Sequence, residues 1–232
     1  MFDALFTTTT EYQKLSHALS GKGACALFGL PASGRAQVYA ALCRQLDKPL
    51  CIVTPGEAEA TRFAADLNTL GIPAAVFPAR DYVLRPIEGT AREYEYRRLA
   101  VLGELVGGRL RAVAVPAEAL TQFTTPKEDF CANTRTLHAG DTLLRDDLLA
   151  ALFGAGYTRR AQVDGPGQFS VRGDIVDIFA PDQKMPVRME FWGDEIDTLH
   201  TFDLATQRRE DPIEKIYVSP AREELFGSPA EA

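Results

Sequence analysis

The spacing of hydrophobic and polar positions changes character once along this chain. Up to about Thr125, short apolar runs alternate with longer stretches of helical period. Thr10–Leu19 is amphipathic and stops at Gly21. Ala24–Phe28 is a short apolar run that predicts a strand. Arg35–Leu46 sets Val38, Leu42 and Leu46 at helical spacing. Leu50–Thr54 reads as a strand, and Glu57–Leu70 as a helix ended by Gly71 with Pro73 just beyond. Ala74–Phe77 is another short strand. Arg92–Val106 is a long helix stopped by Gly107-Gly108. Ala112–Val115 is a continuous apolar strand, and Pro116–Phe123 a helix with proline in its first turn. Apolar strands separated by helices imply a parallel sheet covered on both faces.

Beyond Thr125 the pattern differs. Leu143–Phe153 predicts one more helix, closed by Gly154 and Gly156. From Tyr157 to Phe202 the period becomes two, with strands at Gln168–Arg172, Ile175–Phe179, Val187–Trp192 and Ile196–Phe202. Turn-rich links join them: Gly173-Asp174, Pro181–Pro186 and Gly193-Asp194. This predicts a small antiparallel sheet fitted with a helix. The expected organisation is an α/β domain over 1–125, a small α+β domain over 126–218, and the start of a further segment over 219–232.

Composition narrows the function classes. The net charge of −7 argues against a strong non-specific DNA binder, which would show a basic domain or stripe. Cys25, Cys43, Cys51 and Cys131 form no C-x-x-C, and two of them sit in apolar runs. They read as reduced, buried small hydrophobes of a cytoplasmic protein. His17, His138 and His200 are isolated, so no metal site is expected. No apolar run reaches the roughly 20 residues that span a bilayer, and the first residues lack the pattern of a signal peptide.

Gly29-Leu30-Pro31-Ala32-Ser33-Gly34-Arg35-Ala36 has the frame of a phosphate-binding P-loop without its chemistry. The motif needs a lysine for the terminal phosphates and a Ser/Thr hydroxyl for Mg²⁺. Arg35 holds the lysine position, and its planar fork is not a neutral replacement. Ala36 holds the hydroxyl position and offers Mg²⁺ no oxygen ligand. The frame follows an apolar run and precedes a helix, so a degenerate RecA-like (P-loop NTPase type) domain is the natural reading. Three roles stay open for the loop: nucleotide hydrolysis, weak anion binding at a helix N-terminus, or a tight turn with Ser33 as N-cap. The missing lysine and hydroxyl favour the turn.

Met189–Glu195 imitates a Walker B strand, but Arg188 and Glu190 alternate with apolar residues, which a buried parallel strand would not allow. Gly193-Asp194 suits a type II′ hairpin turn. Val187, Met189 and Phe191 are expected on the core face, and Arg188, Glu190 and Trp192 on the other. The single tryptophan thus shares an outward face with an arginine, and Arg172 on the facing strand is placed to join it. Trp and Arg are the residue types most enriched at interface hot spots. The competing reading is a solvated face with a cross-strand ion pair. A third feature, the arginines from Arg80 to Arg111 with Tyr82, Tyr94 and Tyr96, resembles a nucleic-acid surface. Nearby acids at helical spacing, such as Glu93 with Arg97 and Glu95 with Arg98, favour a solvated helix face.

The run Gly167–Phe179, followed by Val187–Trp192, Gly193–Asp197 and Phe202-Asp203, resembles the domain-2 signature shared by the excision-repair protein UvrB and the transcription-repair coupling factors (Mfd). Residues before it look like domain 1a of the same module. Arg35-Ala36 in place of Lys-Ser/Thr, and the short Arg80–Thr90 segment where UvrB carries a DNA-clamping hairpin, favour the coupling factors. The resemblance implies a non-catalytic, cofactor-free N-terminal fragment whose domain 2 docks onto UvrA, the damage-recognition ATPase. It implies contacts at Arg159, Arg172, Arg188, Glu190 and Trp192. RNA polymerase and double-stranded DNA would be partners of the full-length protein through domains further along. The alternative is a nucleotide-binding or DNA-binding fragment of a UvrB-like helicase-type protein.

Overall fold

A computed structural model describes residues 7–21, 24–46, 48–80 and 91–223. In chain order the elements are α1 (Thr10–Ser20), α2 (Ala32–Gln45), β1 (Leu50–Thr54), α3 (Glu57–Thr69), β2 (Ala74–Val76) and α4 (Ala91–Val106). Next come β3 (Ala112–Pro116), α5 (Ala117–Leu120), α6 (Lys127–Ala132), β4 (Arg135–His138) and α7 (Arg145–Gly154). The rest are β5 (Thr158–Arg159), β6 (Gln168–Arg172), β7 (Ile175–Phe179), β8 (Val187–Trp192), β9 (Glu195–Phe202), β10 (Arg209–Pro212) and β11 (Lys215–Val218). The chain divides into two compact units: Met1–Ala79 with Gly107–Gln122, and Arg80–Val106 with Phe123–Ala232. Helix α4 therefore groups with the second unit, although it precedes β3 in sequence.

The first unit is built on a parallel sheet in the order β1-β3-β2. β3 is central and buried throughout, which is why its run Ala-Val-Ala-Val is continuously apolar. α3 buries Ala60, Phe63, Ala64 and Leu67, an i, i+3, i+4, i+7 stripe laid on the sheet. Gly71 ends this helix at φ +76, a conformation L side chains rarely adopt.

Several expectations for this unit fail. Ala24–Phe28 forms no strand. It is exposed, with Phe28 87% accessible, and pairs with no other described residue. Two alanines and no β-branched residue give that run little strand preference. β1 buries Ile52 and Thr54 but exposes Cys51 and Val53, so this edge of the sheet is covered on one face only. Of the four cysteines only Cys43 is buried; Cys25, Cys51 and Cys131 are exposed, and all four are free thiols. Helix α2 starts at Ala32 behind Pro31, so Ser33 lies inside the helix rather than at its cap.

The second unit carries a six-stranded sheet in the order β10-β9-β8-β7-β6-β5 and a two-stranded β11-β4 pair. Both sheets are antiparallel except for the short β5·β6 pairing. Leu148 and Leu152 of α7 enter one core with Phe169, Val176, Ile178, Val187, Met189, Phe191, Ile196 and Leu199. Each fully buried aliphatic side chain there contributes about 1.5–3 kcal/mol relative to exposure. Two Gly-Asp turns set the register. Arg172 pairs Ile175 around Gly173-Asp174, and Trp192 pairs Glu195 around Gly193-Asp194. In each loop the glycine has positive φ (+60 and +63) and the aspartate does not, as a type II′ turn requires.

Helix α4 is fixed into this unit by close approach and by charge. A Cβ on Gly167, whose φ is +71, would stand 2.5 Å from the Tyr96 hydroxyl and 2.8 Å from its ring. Gly167→Ala is therefore expected to destabilise the second unit by about 1–3 kcal/mol, read as lost amide protection in β6 and β7. Unchanged protection would contradict this packing. Arg98 of α4 is wholly buried against Glu223, which corrects its place on the expected solvated face, whereas Arg92, Glu93 and Arg97 are exposed as that reading required. Residues 81–90 of the same stretch lie outside the described residues. Ser219, Ala221 and Glu223 are buried, and the Ala221 N–H donates to the Ala155 carbonyl at 2.8 Å. The start of the polar tail is thus part of the second unit.

Candidate partner-docking face

The alternation along β8 holds. Val187, Met189 and Phe191 lie in the core, while Arg188, Glu190 and Trp192 project from the opposite face. Pairing of β6, β7, β8 and β9 extends that face sideways. Ser170, Asp177, Arg188 and His200 form one cross-strand row, and Arg172, Ile175, Glu190 and Thr198 the next.

The middle of the face is an ion cluster on Asp177, whose side chain is fully buried. Arg188 donates twice to it, Nε to Oδ1 at 2.7 Å and Nη2 to Oδ2 at 3.0 Å, a bidentate fork. Arg172 Nη2 donates to Oδ2 at 2.7 Å, and the Ser170 hydroxyl lies 3.4 Å from the same oxygen. Arg188 Nη1 reaches the Gln207 carbonyl at 3.2 Å, and its guanidinium stands 4.7 Å over the Phe202 ring. Gln207 is the one non-glycine residue with positive φ among those described, at +58. That costs about 1–2 kcal/mol and turns its carbonyl toward Arg188. The hydrogen bonds to Asp177 hold the Arg188 pKa above its already high ordinary value, against the opposing effect of burial.

Arg188 is therefore not the exposed contact expected of it. It is buried, and the cross-strand ion pair takes up its fork. Its outward strand position was legible in the sequence, but its partner was not, because Asp177 lies on the neighbouring strand. Beneath Arg188, Phe202 packs with Val163, Phe179 and Leu204 in a small cluster, so this end of the face is apolar and closed. Glu190 is paired with Arg209 of β10. Arg145 donates to the Gly173 carbonyl at 2.8 Å and to Asp174 Oδ1 at 3.1 Å.

Two predicted residues are open to a partner. Trp192 is 82% accessible at the end of β8. The Arg172 side chain is 45% accessible. Arg159 is exposed but does not join them. It lies on the edge strand β5 and pairs Phe169, whose side chain faces the core. The structure thus gathers Arg172, Arg188, Glu190 and Trp192 and leaves Arg159 aside. Asp177, which binds two of the four, was not nominated from sequence. Its signal was an acid placed between Ile175 and Phe179 on the outward register of β7.

The P-loop frame lies in the first unit. Gly29 has φ +81. A Cβ on Gly34 would stand 3.3 Å from Pro31 Cδ, so the glycine permits a close turn. Arg35 Nη1 lies 3.7 Å from Glu59 Oε1, and its guanidinium is 5.8 Å from the Phe63 ring centre, both on α3. Ala36 is buried in the core. The residue at the lysine position thus lies against α3 with its side chain 43% accessible, and the one at the hydroxyl position packs in the core.

No described helix is long and apolar enough to cross a membrane. Residues 136–223 match the family described as the UvrB interaction domain. Proteins named transcription-repair-coupling factor are similar along most of the chain. That of Mycobacterium bovis is 36% identical over 212 residues, 88% of this chain and 17% of the relative. That of Bacillus subtilis is 29% identical over 85% of this chain and 17% of the relative. That of Staphylococcus aureus (strain MRSA252) is 28% identical over 96% of this chain and 19% of the relative. The chain therefore spans under a fifth of the length of these relatives. Residues 136–223 of the second unit thus resemble the UvrB interaction domain family, within a stretch similar to part of the transcription-repair-coupling factors.

Proposed function

We propose that this chain recruits UvrA through the outer face of β6–β8 and performs no catalysis itself. The observation that carries this is the exposed Trp192 ring on the same face as the half-exposed Arg172, on a sheet locked by Asp177 and Arg188. A large, exposed, amphipathic side chain that shares a sheet face with a guanidinium is the composition of an interface hot spot. Because the sheet and its Gly-Asp turns are already ordered, little conformational entropy is lost on docking. The kinship to coupling factors supplies the candidate partner, and calorimetry of the chain with UvrA tests it. Saturable one-to-one heat supports the reading; no heat at any concentration reached refutes it.

In this reading the first unit is a degenerate RecA-like scaffold and the Gly29–Ala36 loop a structural turn that needs no cofactor. Titration with Mg-ATP is expected to give no saturable signal. A saturable one would favour the rival reading as a nucleotide-binding fragment. DNA binding through the arginines from Arg80 to Arg111 would show as affinity falling steeply with salt. The burial of Arg98 removes one of the cations that reading needs. RNA polymerase and double-stranded DNA are assigned to other regions of a coupling factor, outside this chain.

A further inference from the structure

We infer that Asp177 is the positioning residue of the docking face, keeping Arg188 within the sheet as a support and presenting Arg172 to a carboxylate on the partner. This rests on the reading of the face as a UvrA-docking surface. The local charges assign the roles. Arg145 is opposed by Asp174, Arg209 by Glu190, and Arg188 by Asp177. Arg172 shares Asp177 with Arg188, so two guanidiniums meet one carboxylate and a positive charge is left over. That charge resides at Arg172, because Arg188 is buried and its fork is committed to Asp177 and Gln207. Arg172 spends only Nη2 on Asp177; its Nε and Nη1 make no hydrogen bond among the described residues.

The fit to a partner follows. Arg172 sits two strands from β8, in the row of Glu190, and Trp192 lies two residues beyond that row. Strand spacing and rise put their Cα atoms about 12 Å apart. The matching segment of UvrA carries a carboxylate for Arg172 and, at a similar separation, an apolar group for Trp192. Asp177 fixes that spacing by holding one corner of the Arg172 fork, so the arginine loses less side-chain entropy on binding.

A double-mutant cycle tests this. Arg172→Ala is expected to weaken UvrA binding by about tenfold or more in the native chain, but by less than about threefold in an Asp177→Asn background. Equal losses in both backgrounds would overturn the role of Asp177. Absence of UvrA binding by the native chain would instead refute the docking reading. If Asp177→Asn does not fold, the native chain alone decides the geometry. Arginine-selective NMR should find the Arg188 Nε–H protected from exchange and the Arg172 Nε–H open. Equal exchange of the two would sink the proposal without reference to UvrA.

Discussion

Trp192→Ala is expected to lower the affinity for UvrA by about thirtyfold or more, equivalent to about 2 kcal/mol, and to leave the folded chain as it is. The two halves of that expectation have separate causes. The ring is 82% accessible and ends β8 on the outer side of the sheet. Its truncation removes nothing from the core that holds Phe191 and Met189 on the inner side. A surface change of this kind moves stability by less than about 0.5 kcal/mol. The binding loss arises because an aromatic ring of this size brings about 150–250 Å² to an interface. Calorimetry with UvrA and amide exchange of β7 and β8 measure the two halves. Arg188→Ala provides the contrast. It leaves Asp177 buried with its bidentate partner gone, so it should lose protection in β7 and β8 as well as binding. Wild-type affinity in Trp192→Ala would place the docking surface elsewhere.

The legible parts of this protein were those that local rules control. Alternation along Val187–Trp192 placed the core and outward residues of β8 correctly, because a strand has only two faces. Gly173-Asp174 and Gly193-Asp194 set their hairpins because a two-residue turn with glycine first fixes the pairing. What stayed hidden depended on partners distant in sequence. Arg188 and Glu190 carry the outward pattern of exposed residues, yet Asp177 covers one from the neighbouring β7 and Arg209 pairs the other from β10, two strands away. β4 (Arg135–His138) is short and largely polar, β11 (Lys215–Val218) is only four residues long, and the two pair with each other across a wide gap in sequence. Ala24–Phe28 shows the opposite failure: an apolar run satisfied the pattern but found no strand to join among the described residues. Along α4 the charge spacing was read as Glu95 facing Arg98. In the structure Glu95 accepts from the Glu223 N–H, and Arg98 turns to the Glu223 carboxylate.

That last arrangement carries the largest stability effect expected in the chain. Arg98 Nε lies 3.0 and 2.8 Å from the two Glu223 oxygens, Arg80 Nε lies 2.8 Å from Oε2, and the Thr124 hydroxyl 2.9 Å from Oε1. The side chains of Arg98 and Glu223 are both wholly buried. One carboxylate thus binds Arg80 before α4, Arg98 within it and Thr124 just ahead of α6. Removing it strands a guanidinium out of water, and breaking a buried pair from one side costs about 3–5 kcal/mol. Glu223→Ala is therefore expected to abolish most of the amide protection of α4 and to weaken that of the adjoining sheet. Removing both buried charges has a different expected sign. In Arg98→Met with Glu223→Leu no guanidinium is buried at position 98, and Arg80, which is partly accessible, can turn to water. Replacing a buried pair by packed apolar groups is often close to neutral, so the double variant should recover much of what the single one loses. Hydrogen exchange on the three proteins decides it. Protection in Glu223→Ala equal to the native chain would show that Glu223 does not anchor α4. A double variant no better than the single would show that shape at this site, rather than unpaired charge, sets the cost.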